Sequence, residues 1–366
     1  MGSGVAREIR QARVLHWSYV GLEDIPERLR TEGEQVREIY LKDNKLSRLP
    51  PWLGSLSNLT NLYLHGNELT ALPEELGELQ LLSWLDVDSN QLSSLPCSLW
   101  QLRHLAALVV SNNRLSELPP DVGRLSALEY LDMSHNALRE LPDALGRCRR
   151  LHELTVDGNP LVTLPGSLTG LPSLRVLTAM DCHLTHLPAL QFTSRPMLRL
   201  DHNTALTYLP AHVLQHTRDV HYIRHAEYYI LAAKKLLTEP VDCTRSTGLV
   251  LRAGQRTLAM PSALWHVHRP HARLVVSLYE LALRASHPVA ARHVASLLPT
   301  SLREELRRGP TAHCSRHECH APIYHYATLW AVEEPHIIAA LFFCSHRCCT
   351  ACREPCEASL VSVDWS

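Results

Sequence analysis

Four thiols near the C-terminus carry the residue pattern with the clearest chemistry. Cys314 and Cys319 lie in "HCSRHECH", Cys344 and Cys348 in "FFCSHRC", and the stretches between them, "APIYHYATLWAV" and "HIIAALFF", are rich in strand-forming residues. Two knuckles joined by a hairpin would gather four thiolates, the set that tetrahedral zinc takes. Four protein sulfurs leave no coordination position for water, so the expected zinc is structural and performs no hydrolysis. The pairs are separated by four and by three residues, looser than C-x-x-C, and unliganded thiols are the other reading. His317, His320, His346, Cys349 and Cys352 are further candidate ligands. The order of these residues does not supply the eight interleaved ligands of a RING-type ligase. Seven of the eleven cysteines fall after residue 313, which suits metal ligation in a reducing compartment better than a disulfide framework.

Upstream of the thiols the pattern is helical. "ARLVVSLYELALRASHP" sets Leu274, Leu278, Leu281, Ala282 and Ala285 at three- and four-residue spacings, and Pro288 ends the helix. "LLPTSLREELRRG" places Leu298, Pro299, Leu302 and Leu306 in a further stripe that stops at Gly309. By periodicity these are two amphipathic helices, which could simply cap the rest of the chain. The segment at 277–286 resembles the elongin-binding box of cullin-RING substrate receptors. The resemblance implies that Ser277 opens the box, Leu278 anchors in elongin C and Ala282 fills the small-residue position; Ser286 departs from the usual apolar residue. The segment at 298–306 resembles a cullin box, carried by Leu298, Pro299, Leu302 and Leu306. Its form suits cullin-2, and the second Leu-Pro expected for cullin-5 is lacking.

The larger part of the chain is a repeat. Asn44, Asn67, Asn90, Asn113, Asn136 and Asn159 follow one another at 23-residue steps, Cys182 takes the next slot and Asn203 follows after 21; Pro50 to Pro188 keep the same 23-residue beat. The unit "LTNLYLHGNELTALPEELGELQL" resembles the leucine-rich repeat, L-x-x-L-x-L-x-x-N-x-L. Leu62 and Leu64 lie two apart and share the inner face of a short strand, so Tyr63 and His65 point outward. The Asn is expected to bond turn backbone groups, and Leu-Pro to hold an extended segment on the convex side. No repeat buries its leucines alone, so stacking makes the core and the ends need caps.

The reading is an α/β-type leucine-rich repeat solenoid, with short parallel strands on its concave face, a C-terminal helical segment and a small zinc-knuckle module. Its expected divisions are an N-terminal cap at 1–35, about eight repeats at 36–212, a cap and connector at 213–271, the box-like helices at 272–309 and a cysteine-rich tail at 310–366. "DVHYIRHAEYYILAAKKLL" reads as a capping helix. "AGQRTLAMP" at 253–261, the helices and the cysteine pairs, in that order, are similar to a small group of leucine-rich-repeat proteins with an elongin/cullin-box-like, cysteine-rich tail.

Nothing in the repeats sets a nucleophile beside a base, and the expected role is protein binding without catalysis. Tyr40, Tyr63, Trp84 and Tyr130 are outward contact groups, with Asp86, Asp88, Asp132, Asp157, Asp181 and Asp201 around them. Exposed aromatics anchor interfaces, and an acidic face favours a basic partner or, more simply, solubility. A net charge of −1 gives no pull toward nucleic acid or membrane. No signal-like run opens the sequence, Ala6 stands where myristoylation wants Ser or Thr, and no stretch suits a membrane span. The expected location is cytoplasmic, also nuclear. The sequence thus leads to a substrate receptor that holds a target on its concave face and docks elongin B/C with cullin-2 or cullin-5; the alternative is a signalling scaffold that recruits no ligase.

Overall fold

The computed structural model describes residues 9, 12–188, 190, 192–206, 208–210, 213, 217 and 219–221, then the strand residues 250–253, 256–259, 266–268, 312–313, 322–323, 326–334, 337–343 and 363–364. The chain divides into two compact units, Met1–Pro160 with Gly170–Met180, and Leu161–Thr169 with Asp181–Ser366.

The first unit is a stack of coils. Its eight strands are β1 (Val14–His16), β2 (Glu38–Tyr40), β3 (Asn61–Tyr63), β4 (Trp84–Asp86), β5 (Ala107–Val109), β6 (Tyr130–Asp132), β7 (Glu153–Thr155) and β8 (Val176–Thr178). Each pairs in parallel with the next, and from β2 onward the register advances by one repeat, so residues 23 apart sit side by side. Residues 14–16, inside the expected cap, pair with β2 and supply a strand of the same sheet.

Three residues per strand is all that the pattern allows, because the chain must turn twice within each coil. The middle residue of β1 to β8, Leu15, Ile39, Leu62, Leu85, Leu108, Leu131, Leu154 and Leu177 in turn, has no exposed surface. Within one coil Leu62, Leu64, Leu69, Leu76, Leu79 and Leu82 are all fully buried. At about 1.5–3 kcal/mol per buried leucine, this stacked row is the main stabilising contribution.

The asparagine expectation holds in atomic detail. Asn67 Nδ2 donates to Leu64 O in its own coil and to Leu41 O in the previous one, both at 2.9 Å, and Leu46 N donates to Asn67 Oδ1 at 3.1 Å. Asn90, Asn113, Asn136 and Asn159 repeat the arrangement. The residue just before each Asn is left-handed: Asp43, Gly66, Ser89, Asn112, His135 and Gly158 have φ between 49° and 68°. At Gly66 a Cβ would also collide with Asp43 Oδ1, so glycine answers two constraints there.

On the other side, Pro50, Pro73, Pro96, Pro119 and Pro142 are extended as expected, with ψ between 138° and 153°. Each then opens a 3₁₀ helix of five residues, Pro51–Ser55, Glu74–Glu78, Cys97–Gln101, Pro120–Arg124 and Asp143–Arg147, which the extended reading does not include. Five residues must cross the back of the coil, and 3₁₀ turns do so within that length. One short α-helix, α1 (Arg28–Glu32), takes the equivalent place in the first coil.

The second unit contains β9 (Met197–Arg199), β10 (Tyr208–Pro210), β11 (Asp219–His221), β12 (Val250–Ala253), β13 (Arg256–Ala259) and β14 (His266–His268). It continues with β15 (Ala312–His313), β16 (Pro322–Ile323), β17 (Tyr326–Glu334), β18 (Ile337–Phe343) and β19 (Val363–Asp364). Leu184 N donates to Asn203 Oδ1 at 3.0 Å, so the asparagine device recurs here. Asp219–His221 pairs in parallel with Met197–Arg199, which corrects the capping-helix reading for those three residues: they extend the repeat pattern as a strand. β17 and β18 form an antiparallel hairpin with Glu334 opposite Ile337, flanked by β10 and β14. β12 pairs with β13 and β19, and β15 with β16. Among the described residues no helix is long and apolar enough to cross a membrane.

Candidate functional site

The outward residues of the first unit form two rows, set by strand alternation and by the 23-residue register. One row runs Glu38, Asn61, Trp84, Ala107, Tyr130, Glu153; the other runs Tyr40, Tyr63, Asp86, Val109, Asp132, Thr155. Strands about 4.8 Å apart bring rings at equivalent positions into stacking distance.

The four aromatics expected from the sequence come together as one ladder. His16 stacks on Tyr40 with ring centroids 4.8 Å apart, and Tyr40 on Tyr63 at 4.4 Å with 13° between planes. Tyr63 meets Trp84 at 6.2 Å, tilted by 37°, because the ladder changes rows at that point. Trp84 and Tyr130 lie two strands apart, yet their rings come within 6.3 Å and 11° of parallel. They close over Ala107, which sits between them and is only 2% exposed; a larger side chain there would hold the rings apart. Trp84 remains 37% exposed, so the ladder is open to a partner.

The ladder is held by polar contacts at its edge. Tyr40 Oη donates to Glu38 at 3.1 Å, and Asn61 Nδ2 donates to Tyr63 Oη at 3.1 Å. Burial, then the hydrogen bond to Glu38, pushes the Tyr40 phenol up to about 12. Burial, with Asp132, Glu153 and Asp86 nearby, does the same to Tyr130. Lys42 Nζ stands 4.9 Å from the Tyr63 ring centroid, a cation on an aromatic face.

The aspartates differ in what they can do. Burial pushes Asp88 up, but hydrogen bonds from Asn112, Ser111 and Ser89 outweigh it and hold the carboxyl below its ordinary value. The bonds run from Ser111 Oγ at 2.7 Å, Asn112 Nδ2 at 2.9 Å and Ser89 Oγ at 2.9 Å, and His65 Nδ1 contacts the same carboxylate. Asp88 is thus a structural clamp between coils. Asp86 and Asp157 are pushed up, in each case mainly by burial. Asp86 Oδ1 accepts from Asp88 N at 3.1 Å, and Asp132 Oδ1 accepts both from Ser134 N and from its hydroxyl. Asp157 Oδ1 accepts from Met180 N at 2.7 Å. Asp181 and Asp201 belong to the second unit, where Asp181 N donates to Asp201 O at 3.0 Å and His202 Nδ1 lies 3.1 Å from Asp181 Oδ1.

His16, Lys42 and Ala107 complete the face and are not among the residues expected from the sequence, whereas His65, expected to point outward, does so and meets Asp88. The signal for the first three is the register: each lies 21 to 24 residues from a residue it meets, or fills the gap between two rings. Ser277, Leu278, Ala282, Leu298, Pro299, Leu302 and Leu306, and the candidate ligands Cys314, Cys319, Cys344 and Cys348, lie outside the described residues. Among the described residues no three His, Cys, Asp or Glu side chains are arranged to hold a metal ion.

Residues 21–92 and 103–161 match the family model described as leucine rich repeat. That part of the chain, 131 of 366 residues, is similar to leucine-rich repeats. A leucine-rich-repeat protein of Leptospira interrogans superposes with a TM-score of 0.50 and 26% identity, covering 60% of this chain and 68% of that one. An internalin from Listeria monocytogenes gives a TM-score of 0.50 at 16% identity over 59% of this chain and 63% of its own, a likeness of fold alone. No curated protein matches the sequence. Leucine-rich repeats generally serve protein–protein interaction and are typically non-enzymatic, and the open aromatic ladder is consistent with that use.

Proposed function

We propose that this chain is a substrate receptor of a cullin-RING ubiquitin ligase, with the strand face of its first unit capturing a protein target. The observation that supports target capture is the ladder from His16 to Tyr130. Stacked rings held at an exposed face present a large, rigid contact area at little entropic cost, the composition of interface hot spots. Recruitment rests on sequence: the box-like segment opened by Ser277 and Leu278 would dock elongin B/C, and Leu298, Pro299, Leu302 and Leu306 would meet cullin-2 or, less well matched, cullin-5. The tail thiols Cys314, Cys319, Cys344 and Cys348 would hold a structural zinc; the β17–β18 hairpin separates the two pairs in sequence, the arrangement that paired knuckles use. Such a receptor would work in the cytoplasm and nucleus.

The full chain mixed with elongin B/C should co-elute in size-exclusion chromatography, and Leu278→Ala should abolish the complex. Absence of a complex with the wild-type chain sinks the ligase reading and leaves the non-enzymatic scaffold. Elemental analysis of chelator-free protein should find about one zinc per chain. Replacing Tyr63, Trp84 and Tyr130 together by Ala should abolish target capture while the far-ultraviolet circular dichroism stays the same.

A further inference from the structure

We infer that the strand face recognises an arginine-bearing basic segment, whose guanidinium lies across Trp84 and Tyr130 and is held by Asp86 and Asp132. This rests on the target-capture reading and names the chemistry of the partner. The two outward rows coincide at β4 and β6. Each of these strands carries an aromatic and, two residues on, an aspartate: Trp84 with Asp86, Tyr130 with Asp132. Between them β5 offers only Ala107 and Val109. The result is a surface patch in which two stacked rings, closed over Ala107, lie along one side and two carboxylates along the other, with Val109 between the carboxylates.

Each part suits a guanidinium better than other groups. Its planar face stacks on aromatic rings, and its forked donors pair with carboxylate oxygens. The hydrogen bonds that Asp86 and Asp132 accept from Asp88 and Ser134 all go to one oxygen, Oδ1, so Oδ2 of each is left to face a ligand. The carboxyl of Asp86 is pushed up mainly by burial, which outweighs the opposing pull of Lys42 and His65 nearby, so a further cation would offset the remaining cost of its charge. The face already shows the same chemistry one step away, where Lys42 sits on Tyr63. Past the patch the acidic character continues along β7 in Glu153 and beyond it in Asp157, so a segment with repeated basic residues fits better than a single one. Asp88 is excluded from the set because its oxygens are bound by Ser111, Asn112, Ser89 and His65.

The probe is a fluorescein-labelled nine-residue peptide of alternating glycine and arginine, titrated with the full chain at physiological salt and read by fluorescence anisotropy. A lysine version keeps the charge, and a citrulline version keeps the shape without it. The arginine peptide should bind saturably, the lysine peptide several-fold more weakly and the citrulline peptide about tenfold or more weakly, since stacking and paired carboxylates both favour guanidinium. Trp84→Ala, and separately the isosteric pair Asp86→Asn with Asp132→Asn, should each weaken the arginine peptide by about tenfold. No binding of the arginine peptide, equal binding of the citrulline peptide, or unchanged binding by both variants overturns the inference. If those results appear while the Tyr63, Trp84 and Tyr130 triple variant still loses its target, the face captures proteins by other chemistry and only this inference falls.

Discussion

Strands β2 to β6 and strands β7 and β8 are built on the same buried row, yet they show solvent different things. Ile39, Leu62, Leu85, Leu108 and Leu131 continue without interruption into Leu154 and Leu177, all fully buried. Outward, the first group presents Tyr40, Tyr63, Trp84 and Tyr130, while the second presents Glu153, Thr155 and Val176, with Thr178 buried. The backbone and its asparagine turns are indifferent to this change. Strand alternation separates the two tasks, so inner residues set the architecture and outer residues can be exchanged without disturbing it.

The strongest way to break that comparison is through the turns. Asn90 donates to Leu64 O, Val87 O and Asp88 O and accepts from Leu69 N; Asn159 makes the equivalent four bonds with Met133, Val156, Asp157 and Leu138. Asn90→Ala and Asn159→Ala should therefore each cost about 3 kcal/mol or more, by leaving buried backbone groups unpaired. Unequal shifts in the urea midpoint would show that the two regions do not share one framework.

A smaller effect is expected on the outward side. Tyr63→Ala should lose about 1 kcal/mol of ring stacking, and Thr155→Ala, its counterpart in the plainer region, should stay within about 0.5 kcal/mol of wild type. A cost for Tyr63→Ala comparable to that of Asn90→Ala would make the ladder part of the framework rather than a recognition surface.

The smallest effect is a pH dependence. Asp86 and Asp157 have raised values because burial disfavours their charge, so the folded state binds their protons more tightly than the unfolded chain does. Their ionisation thus costs stability above the raised folded value, and the cost is relieved as pH falls through it. Asp157→Asn keeps an oxygen for Met180 N and should raise the melting temperature slightly at neutral pH, with the gain shrinking in mild acid. Asp86→Asn should behave alike. A gain that grows toward acid would reverse the sign argued from burial.

The buried pattern and its outward counterpart are both legible in the sequence, because Leu62 and Leu64 with Tyr63 between them state the strand phase directly. The ladder is nearly so: Tyr40 and Tyr63 are one 23-residue repeat apart, Trp84 and Tyr130 two, and the small residue at 107 permits the closure. Other features depend on contacts that no single repeat displays. Lys42 reaches Tyr63 diagonally across coils, and Asp88 is taken up by Ser111 and Asn112 of the next coil, so its sequence likeness to Asp86 conceals a different task. The 3₁₀ turns after each Leu-Pro stay hidden because that motif constrains the residue before proline and says little about the five that follow. Asp219–His221 escapes the pattern because a short strand at the end of an array carries no period of its own, and the apolar run after it favours helix.

The asparagine turns also govern how the domain would answer force. Each ties its own coil to the one before, and the strand hydrogen bonds run along the stacking direction, so a pull on the two ends of the stack loads these bonds end-on, beginning at the outermost coil. Coils should come away singly instead of all at once. Each release frees 23 residues of chain, an extension of about 80 Å at roughly 3.3–3.6 Å per residue. A domain that yields in such steps can lengthen under load at one end while its inner coils keep their shape.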